Sequence, residues 1–160
     1  MIIGSQNLSD MFSVFHDGGI VLTTVKGVNL EFEIEIGYLA GRIKSEYQIF
    51  RLTLFNVRNL SFKTWPKSSE ALPDLFSSAS QIFEPELEVL SCEIEGDFLK
   101  VICNQASEIY SYCGGELLLQ ADSAVVTDEG GKSYSIVELR QLCKDYWDEF
   151  SAKKSDLKSE

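Results

Sequence analysis

The chain carries one histidine, His16, in 160 residues. That scarcity removes several chemistries. A phosphohydrolase site built on His-Asp pairs needs several histidines around its ions, and a His-based zinc centre needs three or four spaced ligands. Four cysteines, Cys92, Cys103, Cys113 and Cys143, stand at irregular intervals without a CxxC pair, so neither a zinc ribbon nor a thioredoxin-like couple is encoded. No metal and no cofactor is expected. Phosphate-cradling loops of the GxGxxG or GxxxxGK[ST] kind are missing, as are a GxSxG elbow and a cysteine-protease signature. No apolar run approaches the roughly 20 residues of a membrane helix. The opening MIIGSQNLSD has neither the basic nor the apolar region of a secretory leader. The expected place of work is the cytoplasm, with reduced thiols.

Basic residues are also scarce. Lysine and arginine number 14 against 25 aspartate and glutamate, a formal net charge of -11. Affinity for nucleic acid comes mainly from lysine and arginine neutralising phosphates, so a polyanion is an unlikely match for such a surface, and an anionic membrane is disfavoured for the same reason. The remaining composition, with 44% hydrophobic and 24% charged residues, is that of a soluble globular domain. Its length suits one domain.

Periodicity organises the chain. NLEFEIEIG alternates from residue 30, with Leu30, Phe32, Ile34 and Ile36 on one face and Glu31, Glu33 and Glu35 on the other. GIVLTTVKG before it, with Gly27 and Asn29 as turn residues, makes residues 19 to 36 a hairpin. YQIFRLTLF has apolar residues on both faces and reads as a strand covered on two sides; NLSFKTW reads as another strand. DLFSSASQIF suits a short helix capped by Asp74. ELEVLSCEIEGDFLKVICNQ is a second hairpin turning at Gly96-Asp97, with a bulge where the apolar phase slips between Val89 and Leu90. A two-residue turn there pairs Cys92 with Val101 and leaves Cys103 a diagonal neighbour, too far for a disulfide. EIYSYC, GELLLQA and SAVVTDE are further strands, with Gly114-Gly115 and Gly130-Gly131 as turns between them.

YSIVELRQLCKDYWDEF is the clearest helix. Ser135 and Glu138 form a capping box, and Val137, Leu139, Leu142, Cys143, Tyr146, Trp147 and Phe150 share one broad face. The expected fold is a single α+β domain over residues 1–150: a mainly antiparallel sheet, sandwich or open barrel, with this helix packed on it. Residues 151–160 lose the periodicity and read as a mobile tail.

Three functional readings follow. In SVFHDGGIVL, Asp17-Gly18 is a turn dipeptide, with a glycine taking the positive φ and His16 half-buried with a ring nitrogen on backbone. That assigns no catalytic residue, although a small-molecule-binding or hydrolytic site near His16 and Asp17 is one alternative. The second reading rests on charge order. From Arg42 to Lys67 there are six bases and one acid, and from Glu84 to Asp97 six acids and no base. If the strands of Glu86, Glu88, Glu93 and Glu95 lie near that of Glu31, Glu33 and Glu35, they form an acidic face for a basic protein partner, with Trp65 as an aromatic anchor. The third is a structural subunit that self-associates through a sheet edge.

One resemblance bears on these. VFHDGGIVLTTVKGVNLEFEI, residues 14–34 and about an eighth of the chain, resembles the opening of several uncharacterised bacterial β-rich domains, some grouped with immunity proteins of toxin systems. Such proteins bind a toxin and block it without catalysis. The resemblance therefore implies a protein-binding role and transfers no catalytic residue.

Overall fold

A computed structural model describes residues 1–159 of the chain. Strands β2 (Gly19–Lys26) and β3 (Asn29–Glu35) form the expected hairpin, turning through Gly27 at φ 63. In β3, Leu30, Phe32 and Ile34 are buried while the three glutamates point to the outer face, as a period of two requires. Strand β4 (Ile49–Phe55) pairs with β3 and buries Phe50, Leu52 and Leu54. Its opposite face is half covered at Ile49, Thr53 and Phe55 and open at Arg51. The strand therefore has one core face, where its apolar content suggested two.

Strands β7 (Leu87–Glu95) and β8 (Phe98–Asn104) form the second hairpin through Gly96, at φ 62, and Asp97. The register slips between Val89 and Ser91, the expected bulge. Cys92 then stands opposite Val101 and Cys103 opposite Val89, and all four cysteines carry free thiols. The bulge also keeps Glu88, Glu93 and Glu95 on the face of their β8 partners Asn104, Lys100 and Phe98, away from the core face of Leu99, Val101 and Cys103.

Strand β9 (Tyr112–Gln120) corrects an expectation, because Gly114-Gly115 lies inside it and no separate strand covers residues 108–111. A Cβ on Gly114 would run into the Cys103 carbonyl, and one on Gly115 into the Lys63 carbonyl. These glycines serve close strand approach rather than a turn. Strand β5 (Arg58–Pro66) continues β4 beyond Asn56, and β10 (Ser123–Asp128) continues β9. Three two-residue strands, β1 (Ile2–Ile3), β6 (Leu75–Phe76) and β11 (Ser133–Tyr134), complete an antiparallel sheet of 11 strands. Its order is β1-β10-β4-β3-β2-β7-β8-β9-β5-β6, with β11 also on β10. The outermost strands β1 and β6 are two residues long, and β2 and β7 share only two residue pairs, so the sheet keeps unpaired edge along β2, β5 and β7.

The sheet curls so that both halves face one core. Phe12, Ile20, Phe32, Leu52, Phe83 and Leu117 meet there, and Phe83 stacks edge-on against Phe32 at 4.9 Å between centroids. Helix α1 (Ser5–Val14), not among the expected elements, packs on β7, β8 and the C-terminal helix. Leu8, Met11, Phe12 and Phe15 are all buried, at the three- and four-residue spacing of one helix face. Helix α2 (Gly37–Ala40) is a single turn, and α3 (Ala79–Ile82) follows Ser78. Asp74 is therefore not the cap of α3; the residues after it, Leu75 and Phe76, pair with β5 instead.

Helix α4 (Ile136–Lys158) packs against this assembly as expected, chiefly on α1 and α2. Its capping box is formed: the Glu138 N–H donates to Ser135 Oγ at 3.2 Å and the Ser135 N–H to Glu138 Oε2 at 2.8 Å. Leu139 is buried and the Tyr146 ring lies against Tyr38 at 4.5 Å between centroids, whereas Val137, Trp147 and Phe150, expected on the packed face, are exposed. The helix runs on to Lys158, with residues 151–158 exposed. No helix among the described residues is long and apolar enough to cross a membrane.

Candidate functional site

The geometry centres on Gly19. Its register partners are Glu35 of β3 on one side and Glu88 of β7 on the other. Beyond them, Glu88 pairs with Asn104 and Asn104 with Gly114, so one row crosses five strands. Glycine has no side chain to separate the two flanking carboxylates. The Glu86 carboxylate lies over that empty position, where a Cβ would overlap it.

Asp17, Gly19, Glu35, Glu86 and Glu88 make one wall of an open cleft of about 570 Å³, and Asn104 to Ser107 with Cys113 make the other. The second wall was not foreseen. It is built by Gln105, a buried side chain whose Nε2 donates to the carbonyls of Tyr112, at 2.8 Å, and Ser107, at 3.1 Å. Its Oε1 accepts the Ser107 N–H, and its own N–H donates to Cys113 O at 2.9 Å. The loop is held from within, and nothing in the local residue pattern marks Gln105 as its anchor.

Electrostatics separates the predicted acids into a centre and two wings. In one wing Glu31 binds Lys26 at 2.7 Å and Glu33 stands opposite Arg51. In the other, Lys100 lies 3.3 Å from Glu93 and 3.8 Å from both Glu95 and Glu116. In the centre, Glu35, Glu86 and Glu88 have no lysine or arginine in ion-pair range among the described residues, and Asp17 has only His16 Nε2 at 3.4 Å. The bases between Arg42 and Lys67 are turned elsewhere: Arg42 pairs with Glu149, Lys44 with Glu46 and Arg58 with Asp122.

The consequence is visible at Glu86. Partial burial raises its carboxyl above the usual range, and the Glu35 carboxyl beside it and the Glu88 charge push in the same direction.

His16 occupies a turn, as the sequence suggests. Its Nδ1 bonds Leu90 O at 2.7 Å, while the Tyr38 hydroxyl donates to the His16 carbonyl at 2.7 Å. The positive φ falls on Asp17, at 65°, and not on a glycine. An aspartate tolerates that left-handed conformation. Gly18 is needed for space instead, since a Cβ there would press on Phe15 O and Ile34. The pair His16 and Asp17 is thereby split: Asp17 lines the cleft and His16 does not.

Trp65 is half-buried, and it is not a wall of the cleft. Its carbonyl accepts from Cys113 Sγ at 3.5 Å, which places its backbone next to the far wall. Among the other cysteines, burial pushes the Cys92 thiol up to about 11 and the Cys103 thiol up to about 12. Neither supplies a thiolate at neutral pH. Among the described residues no three His, Cys, Asp or Glu side chains are grouped to hold a metal ion.

No protein-family model, curated protein or solved structure matches the chain.

Proposed function

We propose that the chain is a non-enzymatic protein-binding module, an acidic inhibitor of the immunity type that blocks a basic toxin or nuclease in the bacterial cytoplasm. One observation carries the reading: Glu35, Glu86 and Glu88 converge around Gly19 without a lysine or arginine partner among the described residues. Unpaired like charges at one place lower stability, and such an arrangement is kept where it serves binding. A lysine or arginine side chain of a partner supplies the missing counter-charge, and the wings extend the negative potential that steers a basic protein to it. The four free thiols suit a reducing compartment. The resemblance of residues 14–34 to uncharacterised bacterial β-rich domains, some grouped with immunity proteins, implies the same role.

Binding of this kind weakens with salt and with charge reversal at the centre. Glu35→Lys with Glu88→Lys should abolish retention of a basic partner. Glu31→Lys with Glu33→Lys, in a wing, should mainly slow association. Equal effects from both pairs would remove the centre from the interface.

A small cationic ligand is the second reading. It is favoured by the cleft's size and by Asp17 in its wall. Titration with a polyamine distinguishes the two: saturable binding of the free amine, lost in Glu86→Gln, supports the ligand over the protein.

A further inference from the structure

The two halves of the sheet are joined in unlike ways. On one side the chain itself crosses: β4 runs into β5 and β9 into β10, and pairing continues from Phe55 with Ser123 to Arg58 with Gln120. On the other side the ladder is β2 against β7, with two residue pairs, Gly19 with Glu88 and Ile20 with Leu87. Two more backbone bonds extend it, from Asp17 N–H to Val89 O at 2.8 Å and from Val89 N–H to Gly18 O at 2.9 Å. By contrast, the β3–β4 and β4–β10 ladders have six pairs each.

The unpaired carboxylates stand on this shortest inter-half ladder. Glu35 and Glu88 flank Gly19 from two strand spacings apart, roughly 9.6 Å at the usual ladder repeat. Glu86 fills the gap between them. Opening the ladder carries β7, with Glu86 and Glu88, away from Glu35; closing it forces the three together.

We infer that the β2–β7 seam is a pH-sensitive latch, which the charges of Glu35, Glu86 and Glu88 loosen and which closes when Glu86 takes up a proton. The groups that face Glu86 are Glu35 from β3, Glu88 from β7, Asp17 from the α1–β2 turn and Cys113 from β9; the loop after β8 lines the cleft with Gln105, Ala106 and Ser107, and its one acid, Glu108, is not a wall. His16 touches the carboxylates through Asp17 and also spans the seam itself, its Nδ1 bonding Leu90 O of β7 at 2.7 Å. The raised Glu86 carboxyl agrees with this direction. A closed seam that binds its proton more readily than an open one is favoured as pH falls through that raised value towards the ordinary glutamate value near 4.3. Ile20, buried beside the seam, faces the core, so loosening also admits water to apolar surface.

The test uses the protein alone, without any partner, so that it stands or falls separately from the binding reading. Amide hydrogen exchange at Asp17 and Val89 reports the seam, with β3–β4 amides as an internal reference. After correction for intrinsic exchange, protection of the two seam amides relative to the reference should rise about threefold or more between about pH 7 and about pH 4.5. Glu86→Gln and Glu35→Gln should show the high protection at both values. A flat response in the wild type, or an unchanged response in both variants, overturns the latch. So does a response abolished by His16→Gln, because Glu86 would then not be its source.

Discussion

Glu35 and Glu88 face each other across Gly19, the one residue between them that has no side chain. The two acids are 53 positions apart in the chain, and only the pairing of β2 with both β3 and β7 brings them together. The Glu86 carboxylate completes the group from above.

Because these acids repel, removing one charge should stabilise the fold at neutral pH. Glu86→Gln is expected to raise the urea midpoint by the equivalent of a few tenths of a kcal/mol, the scale of exposed charge pairs. The folded-state value of Glu86 is raised, so the unfavourable contribution is present above that value and vanishes below the ordinary glutamate range. Wild type and variant should therefore converge as pH falls to about 4. A gain that persists there would point to packing instead of charge.

The turn between β10 and β11 carries the opposite dependence. Asp128 is buried; burial alone would raise its carboxyl, yet the Tyr134 hydroxyl and the backbone N–H groups of Lys132, Gly130 and Gly131 outweigh this and hold it below the usual range. The Tyr134 hydroxyl donates to Asp128 Oδ2 at 2.8 Å and the Lys132 N–H to Oδ1 at 3.0 Å. This stability is present above the unfolded value near 3.9 and lost as pH falls through the lower folded value. Asp128→Ala should cost about 1–3 kcal/mol at neutral pH. Denaturation of wild type and variant across the acid range would show the difference shrinking on the acid side.

Gly114 tests the reading of the glycine pair as a close strand contact. Its φ is 147, and a Cβ would meet the Cys103 carbonyl, which is backbone and cannot turn aside. Gly114→Ala should destabilise by roughly 1–3 kcal/mol. At Gly19 the three atoms nearest to an added Cβ all belong to the Glu86 side chain, which can turn aside, so Gly19→Ala should cost less than Gly114→Ala while displacing that carboxylate. Equal losses at the two sites would contradict the assignment.

His16→Ala removes the bond to Leu90 O and should lower stability by about 0.5–1.5 kcal/mol. Partner or polyamine affinity should stay within about twofold, because the ring is not a wall of the cleft. A selective loss of ligand affinity with unchanged stability would return His16 to the site.

Much of the sheet was legible because alternation is a local signal. Glu31, Glu33 and Glu35 revealed the outer face of β3, and the phase slip at Val89 revealed the bulge. Helix α1 carried the helical spacing at Leu8, Met11, Phe12 and Phe15, but its start was unmarked: it follows Gly4, at φ 93, with no side-chain cap and no acid in its first turn. Gly114-Gly115 looked like punctuation because a glycine pair usually is. Of the site, the acids themselves stood out by composition and alternation. Their sorting into a centre and two wings was legible only in part: the turn at Gly96-Asp97 sets Glu93 opposite Lys100, but the bare centre depends on the β2–β7 register, which no local spacing encodes. Gln105 acts through a loop closed by tertiary contacts and left no sequence signal at all.

The most direct test of the binding account is retention of proteins from a source-organism lysate on the immobilised wild-type chain and on Glu35→Lys/Glu86→Lys/Glu88→Lys, at low and at high salt. The account predicts a basic protein held by the wild type at low salt, released by high salt, and absent from the triple variant while that variant still unfolds cooperatively. Retention that survives the triple reversal, or no basic protein on the wild type at low salt, would contradict it.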